Sequence, residues 1–152
     1  MSPTLQTLRN KRAEIDYRKR RRQGSHNDQD PTGEELLRFL RERVQRTREL
    51  MIELRGRDII LSPFLEIGAE RGQRAMLLSS EFASQGYMLD ISLEALEEAP
   101  ILKSALKLPV IPQAVCADAG ALPFPDESFA FVYAYQTLHH FPDPLPILQE
   151  AH

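Results

Sequence analysis

Four polar clusters in the second half of the chain carry residue types suited to binding a ligand: Glu66 with the loop Gly68 to Gly72, then Asp90, then Asp118, then Gln136 to His140. The glycines of the first cluster let backbone approach a ligand closely and turn sharply into a helix. A glycine-rich turn followed about 20 residues on by an acid also suggests a dinucleotide site. Here Gly68-x-Glu70-x-x-Gln73 departs from the G-x-G-x-x-G pattern that seats a pyrophosphate, which argues against NAD. A carboxylate at Asp90 can accept hydrogen bonds from both hydroxyls of a ribose, and Asp118 can accept from an exocyclic amine. Together they describe a nucleoside without phosphates, and Glu66 adds a charge that repels phosphate and welcomes an ammonium. The plainer alternatives are that Asp118 and Ser92 only cap helices and that Gly72 only lets a helix pack on a sheet. His139 and His140 are the candidates for a general base, with loop packing as their simpler role. The lone Cys116 permits no internal disulfide and no multi-cysteine zinc site, and it reads as a buried strand residue; no metal site is expected.

The elements that must position these residues follow from periodicity. Ser62 to Ile67 reads as a strand, the Gly68 to Gly72 turn leads into a helix from about Gln73 to Ser84, and Gly86 to Ile91 is a second strand. That helix turns Ala75, Met76, Leu78 and Phe82 inward. Ser92 caps a helix carrying Leu93, Ala95 and Leu96 that breaks near Pro100, with another turn over Leu102 to Lys107. Val110 to Ala117, interrupted by Pro112, is a third strand, with the proline suited to an edge strand or a strand's start, and Phe129 to Tyr135 is a fourth. Alternating strands and helices with continuously apolar strands predict a parallel sheet covered on both faces. Ligands in such a sheet sit at the carboxyl ends of the strands, where all four polar clusters fall.

Upstream the pattern is different. Thr32-Gly33-Glu34-Glu35 can form a capping box, and Leu36, Leu40, Val44, Thr47, Met51 and Leu54 make one mostly apolar stripe that ends near Gly56. This predicts an amphipathic helix over residues 31–56 laid against the domain, rather than a lid over a substrate. Residues 1–55 hold 14 Lys and Arg against 9 Asp and Glu, whereas residues 56–152 hold 5 against 13. Eight of the basic residues lie between Arg9 and Arg22, so residues 1–30 read as a basic, disordered arm. Nucleic-acid binding through residues 9–22 is the sharper alternative, weakened by the presence of only Tyr17 for stacking. There is no apolar run long enough for a membrane span and no apolar leader after Met1, so a cytoplasmic protein is expected.

From Phe64 to His152 the sequence resembles the class I S-adenosylmethionine-dependent methyltransferases, specifically the type 11 group related to the quinone-biosynthesis methyltransferases. Leu65-Glu66-Ile67-Gly68-Ala69-Glu70-Arg71-Gly72 is similar to the glycine-rich first motif of that family, and Leu89-Asp90-Ile91-Ser92 to the segment with the ribose-binding acid. Asp118 to Phe124 with Pro125 to Phe129 resembles the stretch that holds the adenine and enters the fourth strand, and Thr137-Leu138-His139-His140-Phe141 the segment that closes over the methyl group. The resemblance implies a Rossmann-like α/β fold, S-adenosylmethionine as cofactor and methyl transfer to a small-molecule acceptor. It implies Glu66 near the methionine ammonium, Gly68 and Gly72 shaping the loop, and Asp90 on the ribose. It also implies Ile91 against the adenine, with Asp118 and the Ala119 amide on its polar edge; Tyr135 is the candidate for a main-chain contact to the methionine part. Two positions depart from the family pattern: Glu70 stands where another glycine is usual, and Ala130 where an acid is common.

The expected architecture is therefore a parallel sheet of order 3-2-1-4, preceded by the amphipathic helix, with residues 57–152 forming the N-terminal part of a methyltransferase domain. Later strands of the family's sheet are missing, and the chain stops within the helix opened by Pro144 to His152, so truncation at the C-terminus is expected. An RNA methyltransferase that uses the basic arm, and a cofactor-binding fragment without catalysis, are the alternative functions.

Overall fold

The computed structural model describes residues 34 to 152, together with Arg9, Arg12, Ala13, Ile15 and Asp16, each of which is helical. The remainder of the expected arm, and the capping residues Thr32 and Gly33, lie outside the described residues. Helix α1 (Glu34–Gly56) ends on the expected glycine. Of its predicted stripe, Leu40, Val44 and Met51 are buried and Thr47 and Leu54 half-buried, while the Leu36 side chain lies outside the described residues. Each side chain removed from water in this way contributes roughly 1.5 to 3 kcal/mol.

The α/β unit follows as β1 (Phe64–Ile67), α2 (Gln73–Phe82), β2 (Gly86–Asp90), α3 (Leu93–Leu96), α4 (Ala99–Leu106), β3 (Gln113–Cys116) and β4 (Phe131–Ala134). A short 3-10 turn (Leu138–His140) and α5 (Leu145–Glu150) complete it. The four strands form one parallel sheet in the order β3-β2-β1-β4, the order expected. Alternation along β1 divides the interior in two. Phe64 joins α1, α2 and α4 in one cluster with Met51, Met76 and Leu102, and Leu65 and Ile67 join Leu89, Ala119 and Ile147 in a second on the opposite face.

The strands are shorter than the apolar runs suggested, because pairing stops where neighbours diverge. The third strand begins at Gln113, past Pro112, which has no N–H to give the ladder. As the edge strand, β3 leaves Gln113, Ala114 and Cys116 exposed, so Cys116 is not the buried residue expected: among the described residues, no fifth strand or helix covers it on that side. The helix that carries Leu93 to Leu96 does break just before Pro100, at Glu97 and Glu98, and Pro100 then sits in the first turn of α4, where its missing N–H has no helical partner to lose. Ser92 caps α3 as expected, its Oγ accepting the Ala95 N–H at 3.2 Å.

Candidate functional site

A cavity of about 330 Å³ opens at the carboxyl ends of the strands, within the range typical of small-molecule sites. Its wall is drawn from the Gly68 loop, the first residues of α2, the ends of β2, β3 and β4, and Leu40 and Arg43 of α1. Apolar groups Ile67, Leu89, Ile91, Ala117 and Ala119 line one side.

Asp90, the last residue of β2, ties two loops together. Its Oδ2 accepts the Glu70 N–H at 2.8 Å, and its Oδ1 accepts the Ser92 N–H at 2.9 Å. Each carboxylate oxygen has two lone pairs, so both can still accept from a ligand. The Glu70 bond explains how that loop tolerates a side chain where the family has glycine. The Glu70 backbone takes the left-handed conformation, φ 56°, and its amide is held on Asp90. Gln136, also on the cavity wall, is a second non-glycine residue with positive φ, at 51°, and its Oε1 accepts from Arg43 Nη2 at 3.3 Å, joining α1 to the loop after β4.

Gly68 and Gly72 both have positive φ, and at both a Cβ would collide with a neighbour. At Gly68 the obstacle is Thr137, 2.1 Å from the Cβ position, so the glycine loop and the loop after β4 meet across the cavity floor. At Gly72 it is the Met88 sulfur, also at 2.1 Å, which makes this glycine a packing device between α2 and β2. Gly72 is absent from the cavity wall.

Glu66 is absent from it too. It is 1% exposed, with Oε1 on Arg74 Nη1 at 3.1 Å and Oε2 accepting the Ala75 N–H at 2.9 Å, so it anchors the start of α2. Burial pushes its carboxyl up to about 7 against the pull of Arg74, its own hydrogen bonds and the nearby Tyr133 hydroxyl. Burial first, and then the Glu66 charge, push the Tyr133 phenol well above its ordinary value. What faces the cavity at this end is Arg74 itself, with its guanidinium carbon 3.6 Å from the centre of the Tyr135 ring.

Of the residues singled out in the sequence, Gly68, Asp90, Ile91, Asp118, Ala119, Tyr135, His139 and His140 come together on the wall. Asp118 also closes a local turn, its Oδ1 accepting the Gly120 N–H at 2.9 Å. His139 and His140 are exposed and stack on each other with ring centres 4.1 Å apart. Sequence reasoning passed over Arg43, Gln73 and Arg74. A signal for Arg74 was present: a cation four residues before Leu78 shares the buried face of α2, where charge needs a partner. Among the described residues, no group of three or more His, Cys, Asp or Glu is placed to hold a metal ion, and no helix is long and apolar enough to cross a membrane.

Residues 65–152 match the family model described as a methyltransferase domain. The chain is 31% identical over 130 residues to 27-O-demethylrifamycin SV methyltransferase from Amycolatopsis mediterranei, covering 84% of the chain and 44% of that protein. Among solved structures it is similar to magnesium protoporphyrin IX methyltransferase from Synechocystis with bound S-adenosylmethionine, with TM-score 0.63, 18% identity, and coverage of 93% of the chain and 69% of that protein. It is also similar to the cyclase SpnF, with TM-score 0.52, 26% identity, and coverage of 58% and 33%. The chain thus spans under half the length of the curated relative it matches.

Proposed function

The chain belongs to the methyltransferase-domain family, and from that premise we propose that its cavity binds S-adenosylmethionine and that the protein methylates a small-molecule acceptor. The observation that carries the reading is the position of Asp90: a half-buried carboxylate on the cavity wall, held by two loop amides, in a cavity also lined by the apolar Leu89, Ile91 and Ala119. A carboxylate so fixed suits a pair of ribose hydroxyls, and the apolar lining suits a flat base with Asp118 at its polar edge. Among the described residues, no Lys or Arg follows Asp90 or Asp118 in the cavity-lining segments 89–91 and 117–119. A relative that acts on 27-O-demethylrifamycin SV supports a small organic acceptor.

When bound, S-adenosylmethionine supplies a sulfonium methyl for in-line displacement. The residues of this chain contribute position and the exclusion of water. The Gly68 loop and Thr137 set the floor, Asp90 fixes the nucleoside, and the Arg43 to Gln136 bond holds α1 over the rim. His139 and His140 stand where a proton leaving an acceptor hydroxyl or amine can be taken up. Calorimetric titration tests the binding step: S-adenosylmethionine and S-adenosylhomocysteine should bind and NADH should not compete. Competition by NADH, or no binding of either sulfur nucleoside, would overturn the proposal.

A further inference from the structure

Arg74 is the second residue of α2 and only 9% exposed, yet it lines the cavity. Its Nη1 is hydrogen-bonded to Glu66, its face lies on Tyr135, and its Nε is buried with no partner. Gln73 beside it also leaves its Oε1 buried and unpartnered, an acceptor that a carboxylate does not serve. A guanidinium taken out of water is costly unless its donors are met. Glu66 meets one of them, while burial holds its carboxyl toward the neutral form. The cavity is therefore polarised, with Asp90 and Asp118 at the ends of β2 and β3 and Arg74 at the start of α2 beside the end of β4.

We infer that Arg74 receives the carboxylate of the amino-acid moiety of S-adenosylmethionine, so that this end of the ligand is gripped by its acid rather than by its ammonium on Glu66. The inference rests on the nucleoside-binding reading of the same cavity. The guanidinium fork matches a carboxylate in shape and charge, and its carbon already sits over the Tyr135 ring, 3.6 Å from the centre. Glu66 then acts as a positioning residue: it holds Nη1 from behind and pins the Ala75 amide.

Three probes separate the two readings in calorimetric titrations of the full chain. S-adenosylhomocysteine carries both carboxylate and ammonium, its decarboxylated analogue keeps only the ammonium, and 5′-methylthioadenosine has neither. The wild type should bind S-adenosylhomocysteine about tenfold or more tightly than the decarboxylated analogue. Arg74→Gln should erase that preference while leaving 5′-methylthioadenosine affinity within about threefold, and Arg74→Lys should restore part of it. Equal wild-type affinity for S-adenosylhomocysteine and its decarboxylated analogue, with 5′-methylthioadenosine still binding, overturns the role of Arg74 and leaves the nucleoside reading standing. A folded Arg74→Gln that loses all three probes equally also overturns that role, since Arg74 then serves only structure. Failure of the wild type to bind any probe overturns the nucleoside reading, and the inference with it. Should Arg74→Gln not fold, the wild-type comparison decides alone.

Discussion

The two ends of the cavity use charge in opposite ways. At the β2 end, Asp90 reaches the wall with its charge spread over two backbone amides. At the α2 end, Glu66 is fully buried and is tolerated through an ion pair and the Ala75 amide, and it is the paired cation that reaches the wall. A carboxylate solvated by amides is ready to accept hydroxyls. A carboxylate locked under an arginine has handed its place at the surface to that arginine. Two acids in similar positions at strand ends thus acquire different roles because α2 brings a cation to one of them.

The greatest loss on substitution should come at Gly72, which joins the two ends by letting α2 close on Met88. Gly72→Ala places a methyl 2.1 Å from the Met88 sulfur at φ 73°. It should cost about 2 to 4 kcal/mol of stability, measured by urea unfolding, from overpacking and left-handed strain together. Next is Asp90→Ala, which should weaken S-adenosylhomocysteine and 5′-methylthioadenosine alike by roughly 1 to 3 kcal/mol in calorimetry, because the ribose is common to both. Unequal losses would undo the division of the cavity into a nucleoside end and an amino-acid end.

Glu66 gives a smaller, pH-dependent effect. Folding raises its carboxyl from the ordinary 4.5 to about 7, so the folded state holds the proton more tightly in that window. Relative to Glu66→Gln, the wild type should lose stability as pH rises from about 4.5 through 7, measured by denaturant midpoints across that range. A difference that instead grows with pH would mean the Arg74 pairing outweighs burial. The least change belongs to Asp118→Asn, which keeps an oxygen for the Gly120 amide but turns an NH2 donor toward the adenine amine, and it should weaken affinity by about 1 kcal/mol, again by calorimetry.

Much of the β2 end was legible in the sequence. Asp90 and Ser92 form a local pattern at the end of an apolar strand, and the sheet order came with the family resemblance, since right-handed crossovers alone do not choose among strand orders. The α2 end was not, because its outcome depends on a pairing across a turn. Nothing in Leu65 to Gly72 states that Arg74 will fold back over Glu66, and the resemblance therefore pointed Glu66 at the ligand. The tolerance of Glu70 was equally hidden, since it relies on its amide meeting Asp90 twenty residues away. Cys116 was misread because an apolar run, even in a strand expected at the edge of the sheet, does not reveal which of its side chains are left uncovered.

Whether Asp90 holds a ribose is decided by a crystal structure of the chain with S-adenosylhomocysteine. Both ribose hydroxyls should lie within hydrogen-bonding distance of the Asp90 carboxylate while the Glu70 and Ser92 amides stay in place. A nucleoside bound elsewhere, leaving the Asp90 carboxylate without a ribose contact, would refute the assignment.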